Sequence, residues 1–479
     1  MTVLCPKKTL PMLRNVLSVL FLFIFVSISA TAQRPSIRVK IDKLDSDTIL
    51  LANFFGSNQY KRDSAIRQSD GWFEFTRDSL YEEGMYIIVM PPDNQYFQIM
   101  MDGEQNFELR TEKGAEASKM KVKGSKDNEI FFDYLNFLSE MRPRAEAINA
   151  KKEGVTDEGK LAEIEAEFKQ LNDEVTKRQD DLIARHPRTM TAALIRANQP
   201  LPEPEFEGTE EEIQLQRWRW SQQHFFDNVD LADPRSIRTP FLFPKVDNYI
   251  NKMVVQHPDT IIQAIDRVLR AMQPAEDNFK FFLSHLLNTY AKSKIVGQDA
   301  IYVHLVNNYY NRGLAPWVEE ETLGKIREEA AAMEPVLIGK DAPEIILETQ
   351  SGERVNVLEL DAEYTVLIFW RPGCGACKKA APYMLDFSKK YGPQGVKTVS
   401  ICTKFTDEVP MCWEFIKEKG WEKDLLNLVD PYHRSRFNSK YNVTGTPRIF
   451  ILDENKKIVM KGIGAEQLDE VMEQLMAEK

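Results

Sequence analysis

Thr365-Val366-Leu367-Ile368-Phe369-Trp370-Arg371-Pro372-Gly373-Cys374-Gly375-Ala376-Cys377-Lys378-Lys379 decides how this chain is read. The unbroken apolar run, from Tyr364 to Trp370, is that of a strand covered on both faces. Arg371-Pro372-Gly373 turns the chain, and a helix opens at the two cysteines. A CxxC at a helix start lets both sulfurs meet across one turn. The unpaired N–H groups and partial positive charge of that terminus favour a thiolate at the first position. Cys374 is therefore read as the nucleophile and Cys377, one turn further in, as the thiol that resolves a mixed disulfide into a Cys374–Cys377 disulfide. Lys378 and Lys379 add positive charge nearby.

Outward from this stretch the pattern alternates. Val396–Cys402 reads as a second strand and Val409–Lys419 as a second helix. Arg448–Leu452 and Lys457–Met460 form a hairpin across Asp453-Glu454-Asn455, and Gln467–Met476 closes as a helix. This is an α/β plan. Phe369-Trp370, Cys374-Gly375-Ala376-Cys377-Lys378 and Pro382 resemble the active-site strand and helix of thioredoxin-like proteins. Gly445-Thr446-Pro447 resembles their cis-proline loop. Ile338-Gly339-Lys340-Asp341-Ala342-Pro343 is similar to the entry segment of extracytoplasmic thioredoxins of the TlpA and ResA type. The resemblance spans about 140 residues. It implies a thiol–disulfide oxidoreductase with Cys374, Cys377 and Pro447 catalytic, supported by Trp370, Gly375, Ala376, Lys378 and Thr446, and with no cofactor or metal. It also implies a kink at Pro382 and a cis Thr446–Pro447 bond that presents backbone to an extended substrate. Three departures stand out. Ile368 replaces the buried Asp of thioredoxins, Ala380 the Glu of ResA-like reductases, and Gly373 the Trp before the first cysteine. The customary proton acceptor for Cys377 is thus missing.

Rival readings of the CxxC are weaker. A zinc site needs a second ligand pair, and Cys402 and Cys412 lie ten residues apart. A degenerate relative would not be expected to keep both cysteines and the proline. Peroxidase chemistry wants Thr where Arg371 stands. Cys402 and Cys412 read as buried small hydrophobes rather than a second redox pair.

Upstream, the plan changes twice. Between 33 and 125 the stretches Ile37–Ile41, Thr48–Phe55, Trp72–Arg77, Met85–Met90, Tyr96–Met101 and Phe107–Arg110 read as short strands split by turn signals, a small β-sandwich. Residues 126–335 read as helical. Ala145–Arg185 carries Leu161, Ile164, Phe168, Leu171 and Val175 at helical spacing, and Pro200–Gly208 reads as a linker. Thr189 or Thr260 is placed to cap the helix after each His-Pro pair. Trp218, Trp220, Phe225 and Phe226 read as core. His285 and His304 lack ligand partners at metal spacing. Both regions resemble accessory modules of bacterial secreted proteins.

A chain of 479 residues is too long for one core of about 250–300. Its first 32 residues read as a signal peptide: Lys7, Lys8 and Arg14, then the apolar Val16–Ile28, then Ala30-Thr31-Ala32 before Gln33. No cysteine stands directly after that run, which argues against a lipoprotein. Cys5 leaves with the leader, so four cysteines remain, all in the last quarter. Loss of three basic residues takes the formal net charge from −11 to −14, which disfavours nucleic acid as a partner. The reading is a multidomain protein: signal peptide 1–32, all-β sandwich 33–125, all-α region 126–335 and α/β thioredoxin-like domain 336–479. It would be periplasmic and soluble after cleavage. It would act on protein thiols and disulfides in the reducing or isomerising direction, supplied by a membrane electron donor. The alternative is a non-catalytic envelope scaffold that uses the thioredoxin-like fold for recognition.

Overall fold

The computed structural model describes residues 34–477, so the leader reading at 1–32 lies outside the described residues. Eight strands come first: β1 Ser36–Asp42, β2 Thr48–Phe55, β3 Asn58–Ile66, β4 Phe73–Thr76, β5 Gly84–Met90, β6 Gln95–Met101, β7 Asn106–Glu112 and β8 Lys121–Lys123. They form two four-stranded sheets, ordered β4-β1-β7-β8 and β3-β2-β5-β6. The inward side chains of both sheets, Ile37, Val39, Ile49, Leu51, Ile88 and Ile99 among them, share one core. β3 and β8 were not expected from sequence. β3 is an edge strand whose only buried residue is Ala65, so it carries no apolar alternation.

Nine α-helices follow. α1 Lys126–Lys152 and α2 Glu158–Arg185 are separate helices, and the five apolar residues read at helical spacing within the stretch Ala145–Arg185 all lie on α2. Gly154 breaks the stretch at φ +74°, and the Asp157 side chain starts α2 by accepting from the Lys160 N–H at 2.9 Å. The ion pairs Arg144–Glu174 and Lys151–Glu167 show that the two run antiparallel. Asn128 on α1 binds both backbone groups of Met100 on β6, at 2.8 and 2.7 Å. α3 Met190–Asn198 is capped by Thr189, and 200–207 has no regular structure.

α4 Glu210–His224 buries none of its residues. Trp218 stays 37% exposed and Trp220 stacks on His224, so of the expected aromatic core Phe226 is the fully buried member. Next come α5 Leu242–Asn248, α6 Pro258–Met272, α7 Glu276–Ala291, α8 Asp299–Leu305 and α9 Glu320–Met333. α6 is capped by His257, with Pro258 in its first turn, so Thr260 lies inside the helix rather than at its cap. His304 Nε2 pairs with Asp266 at 2.8 Å, and His285 stacks on Phe281.

The C-terminal part holds β9 Ile346–Glu348, β10 Arg354–Asn356, β11 Tyr364–Trp370, α10 Gly375–Tyr391, β12 Val396–Cys402, α11 Val409–Lys419, β13 Leu426–Val429, α12 Phe437–Lys440, β14 Arg448–Leu452, β15 Ile458–Lys461 and α13 Leu468–Ala477. Its seven-stranded sheet is ordered β10-β9-β13-β12-β11-β14-β15. β11 is buried at all seven positions because a separate apolar layer covers each face. β12 lies parallel to it and β14 antiparallel. The end of β11 that leads into the CxxC therefore sits beside the start of β14, where the proline loop enters. The molecule thus has N-terminal sheets, a central helical region and a C-terminal α/β thioredoxin-like domain.

Cys402 and Cys412 are joined in a disulfide, Cα to Cα 6.2 Å, which corrects their reading as unpaired hydrophobes. β12 ends at Cys402 and the chain turns back in α11, which brings Cys412 within bridging range. Spacing alone does not carry that reversal.

Candidate active site

Cys374 is the N-cap of α10, half-buried, with extended backbone and no side-chain cap bond, so its sulfur is free to project from the terminus. Gly373 before it has φ +82°, a conformation that costs glycine little. Cys377 is fully buried one turn on, and both thiols are free. The Cys374 thiol donates to the Thr446 carbonyl oxygen at 3.4 Å. That carbonyl belongs to the Thr446–Pro447 peptide bond, which is cis.

The two sulfurs sit in opposed environments. Burial works against ionisation of Cys374, but the Cys377 N–H, the Cys377 thiol, the Thr446 hydroxyl and the Ala376 N–H outweigh it. Together they bring its pKa down to about 7. Burial pushes Cys377 up, and the Arg371 backbone and Thr446 hydroxyl only partly oppose it. The Thr446 hydroxyl is buried without an ordinary hydrogen-bond partner, and it acts on both sulfurs. The sequence shows Thr446 only as part of a loop motif; the hydroxyl's double role comes from the fold.

Trp370 shares a buried apolar cluster with Cys377, its Nε1–H donating to Ser400 Oγ at 2.9 Å and its ring stacked on Phe415. Gly375, Ala376 and Lys378 are exposed in the first turn of α10. Ile368 and Ala380 are buried, and the leading influences on Cys377 are burial, the Arg371 backbone, the Thr446 hydroxyl and Cys374 rather than a carboxylate. Pro382 lies within the helix. No cluster of metal-ligating side chains occurs among the described residues.

An α/β sheet that sets a CxxC helix against a cis-proline loop defines the thioredoxin-like class. Residues 337–475 match the Redoxin family, and two domains of unknown function, DUF4369 and DUF5106, match 36–131 and 166–334. The thiol-disulfide oxidoreductase ResA of Bacillus cereus is 29% identical over 143 residues, 30% of this chain and 79% of that protein. ResA of Bacillus subtilis is 28% identical over 129 residues, 27% of this chain and 69% of that protein. A solved thioredoxin-like protein from Bacteroides caccae, 19% identical, covers 59% of this chain and 99% of its own at a TM-score of 0.45. The C-terminal domain is thioredoxin-like and similar to proteins of the TlpA/ResA type, and the chain is a thiol–disulfide oxidoreductase.

Proposed function

We propose that Cys374 and Cys377 carry the exchange on protein disulfides and dithiols, with Pro447 and Thr446 as the substrate-facing loop. The Cys374 thiolate attacks one sulfur of a substrate disulfide, the substrate S–S bond breaks, and the departing thiolate takes a proton. Cys377 then attacks the Cys374 sulfur, releases the second substrate thiol and closes the Cys374–Cys377 disulfide. Two electrons pass from protein to substrate. The observation that carries this reading is the asymmetry of the pair: an accessible thiol at a helix terminus with a pKa of about 7, and a shielded partner held up by burial.

Reduction or isomerisation is the favoured direction, because Gly375 and Ala376 offer no charge to stabilise the thiolate further. A membrane electron donor would then recharge the dithiol. The leader sequence supports work outside the cytoplasm after cleavage before Gln33, with the mature chain divided at 33–125, 126–335 and 336–479. No helix among the described residues is long and apolar enough to cross a membrane. Insulin reduction by the full mature chain tests the reading, with Cys374→Ser as control. Turnover that survives in that variant, or none in the native chain, refutes it. Mixed disulfides trapped by Cys377→Ser identify the substrates.

A further inference from the structure

A cleft of about 400 Å³ opens between the helical region and the thioredoxin-like domain, beside the proline loop. One wall is the connection between α7 and α8, with Lys294, Ile295 and Val296 exposed at its lip. The other includes Thr444, Arg448 and Lys461. Lys461 is buried and bonds the Asp299 carboxylate and the Val336 carbonyl oxygen. Arg448 follows Pro447 directly and has no ion pair among the described residues. Its Nε–H is buried with no acceptor, and its guanidinium lies over the Phe450 ring. Asp299 acts electrostatically on both cations. Two cations thus face one carboxylate, and that carboxylate is already engaged by Lys461. Such a site is completed by a second anion.

We propose that this cleft is a subsite for an acidic side chain of the polypeptide substrate, with Arg448 holding the carboxylate and the α7–α8 connection as the opposite wall. The inference rests on the exchange function proposed above and adds a substrate preference to it. Position supports a peptide side chain over a free anion. Arg448 opens β14 two residues after Thr446, and Cys374 touches the Thr446 carbonyl. An extended substrate with its cysteine at Cys374 would bring a residue about two positions away to the guanidinium. The exposed Ile295 and Val296 offer apolar contact to the same segment.

The test uses the reduced full chain and synthetic peptides whose single cysteine is capped as a 2-thiopyridyl disulfide. Glu or Gln stands two residues before or after that cysteine. Attack by Cys374 on the peptide sulfur expels 2-thiopyridone, which is read by absorbance; Cys377 then releases the peptide thiol. At low salt the better-placed Glu peptide is expected to react about tenfold faster than its Gln counterpart. That ratio should fall toward 1 in Arg448→Gln, keep an intermediate value in Arg448→Lys, and shrink in 0.5 M NaCl. Equal rates in the native chain, or a ratio that persists in folded Arg448→Gln, overturn the subsite. Should Arg448→Gln fail to fold, the salt dependence of the native chain decides. Reaction with neutral 2,2′-dithiodipyridine separates the two levels: a chain inert to it loses the exchange function and the subsite together.

Discussion

Lys461 on the strand β15 reaches across 162 residues of sequence to the carboxylate of Asp299 on α8, and so ties the thioredoxin-like sheet to the helical region. The ammonium is 4% exposed and the carboxylate 25%, so the lysine depends on its partner far more than the aspartate does. Asp299→Asn should cost about 2–3 kcal/mol, because it strands a buried charge. Lys461→Met should cost less, since Asp299 can hydrate. Burial already depresses the Lys461 pKa and Asp299 opposes this. In Asp299→Asn the folded pKa drops further below the ordinary 10.5. The penalty is then full below the folded value and shrinks as pH rises toward 10.5. Urea unfolding at pH 7 and pH 10 checks both statements; equal costs for the two variants would contradict them.

Alkylation should single out Cys374. With its pKa near 7, iodoacetamide labelling of the reduced protein should rise through a midpoint there as pH increases, with Cys377 silent. Thr446→Val removes a hydroxyl that lowers both thiols, so the midpoint should move up. Peptide mapping of the labelled protein reads the order directly, and reversed labelling would refute the assignment.

The potential of the couple should lie near that of thioredoxin, about −270 mV, whose thiol also titrates near 7. Equilibration against glutathione buffers measures it. A value above about −150 mV would make this chain an oxidant.

In the proposed exchange, resolution by Cys377 would lack the two customary acids, since Ile368 and Ala380 occupy those positions. Ala380→Glu should accelerate release of trapped substrate by about tenfold or more if a proton acceptor limits that step. Stopped-flow decay of the mixed disulfide is the measurement, and no gain in a folded variant means another group already serves.

The Cys402–Cys412 bridge spans ten residues of sequence, and a loop of that size contributes about 3 kcal/mol. Cys402→Ala/Cys412→Ala should lower stability by about 2–3 kcal/mol. Counting thiols in denaturant without reductant should find two in the reduced-site protein. Finding four would mean the bridge is absent.

The C-terminal domain was the most legible part of the sequence. Tyr364–Trp370, Val396–Cys402 and Val409–Lys419 end where the sequence placed them, because buried strands and Gly/Pro punctuation mark both ends. β9, β10 and β13 are only three or four residues long, too short for any periodicity to register. The tertiary features were hidden for a different reason. The Cys402–Cys412 bridge, the Thr446 hydroxyl between two sulfurs and the Arg448 cleft all join residues that only the fold brings near.

Asn128 has a consequence for the β-sandwich. The sheet β3-β2-β5-β6 has two outer strands, and each could pair with another molecule. β3 defends itself with Lys61, Arg62 and Asp63 along an exposed face. β6 has no such defence, as Phe97, Ile99, Met100 and Met101 make it apolar, and the side-chain amide of Asn128 occupies its Met100 backbone groups instead. That seal lies just past the last strand, on α1. A fragment ending at Gly124 would keep all eight strands and still present an open, apolar margin, so the sandwich depends on the first helix to close its edge.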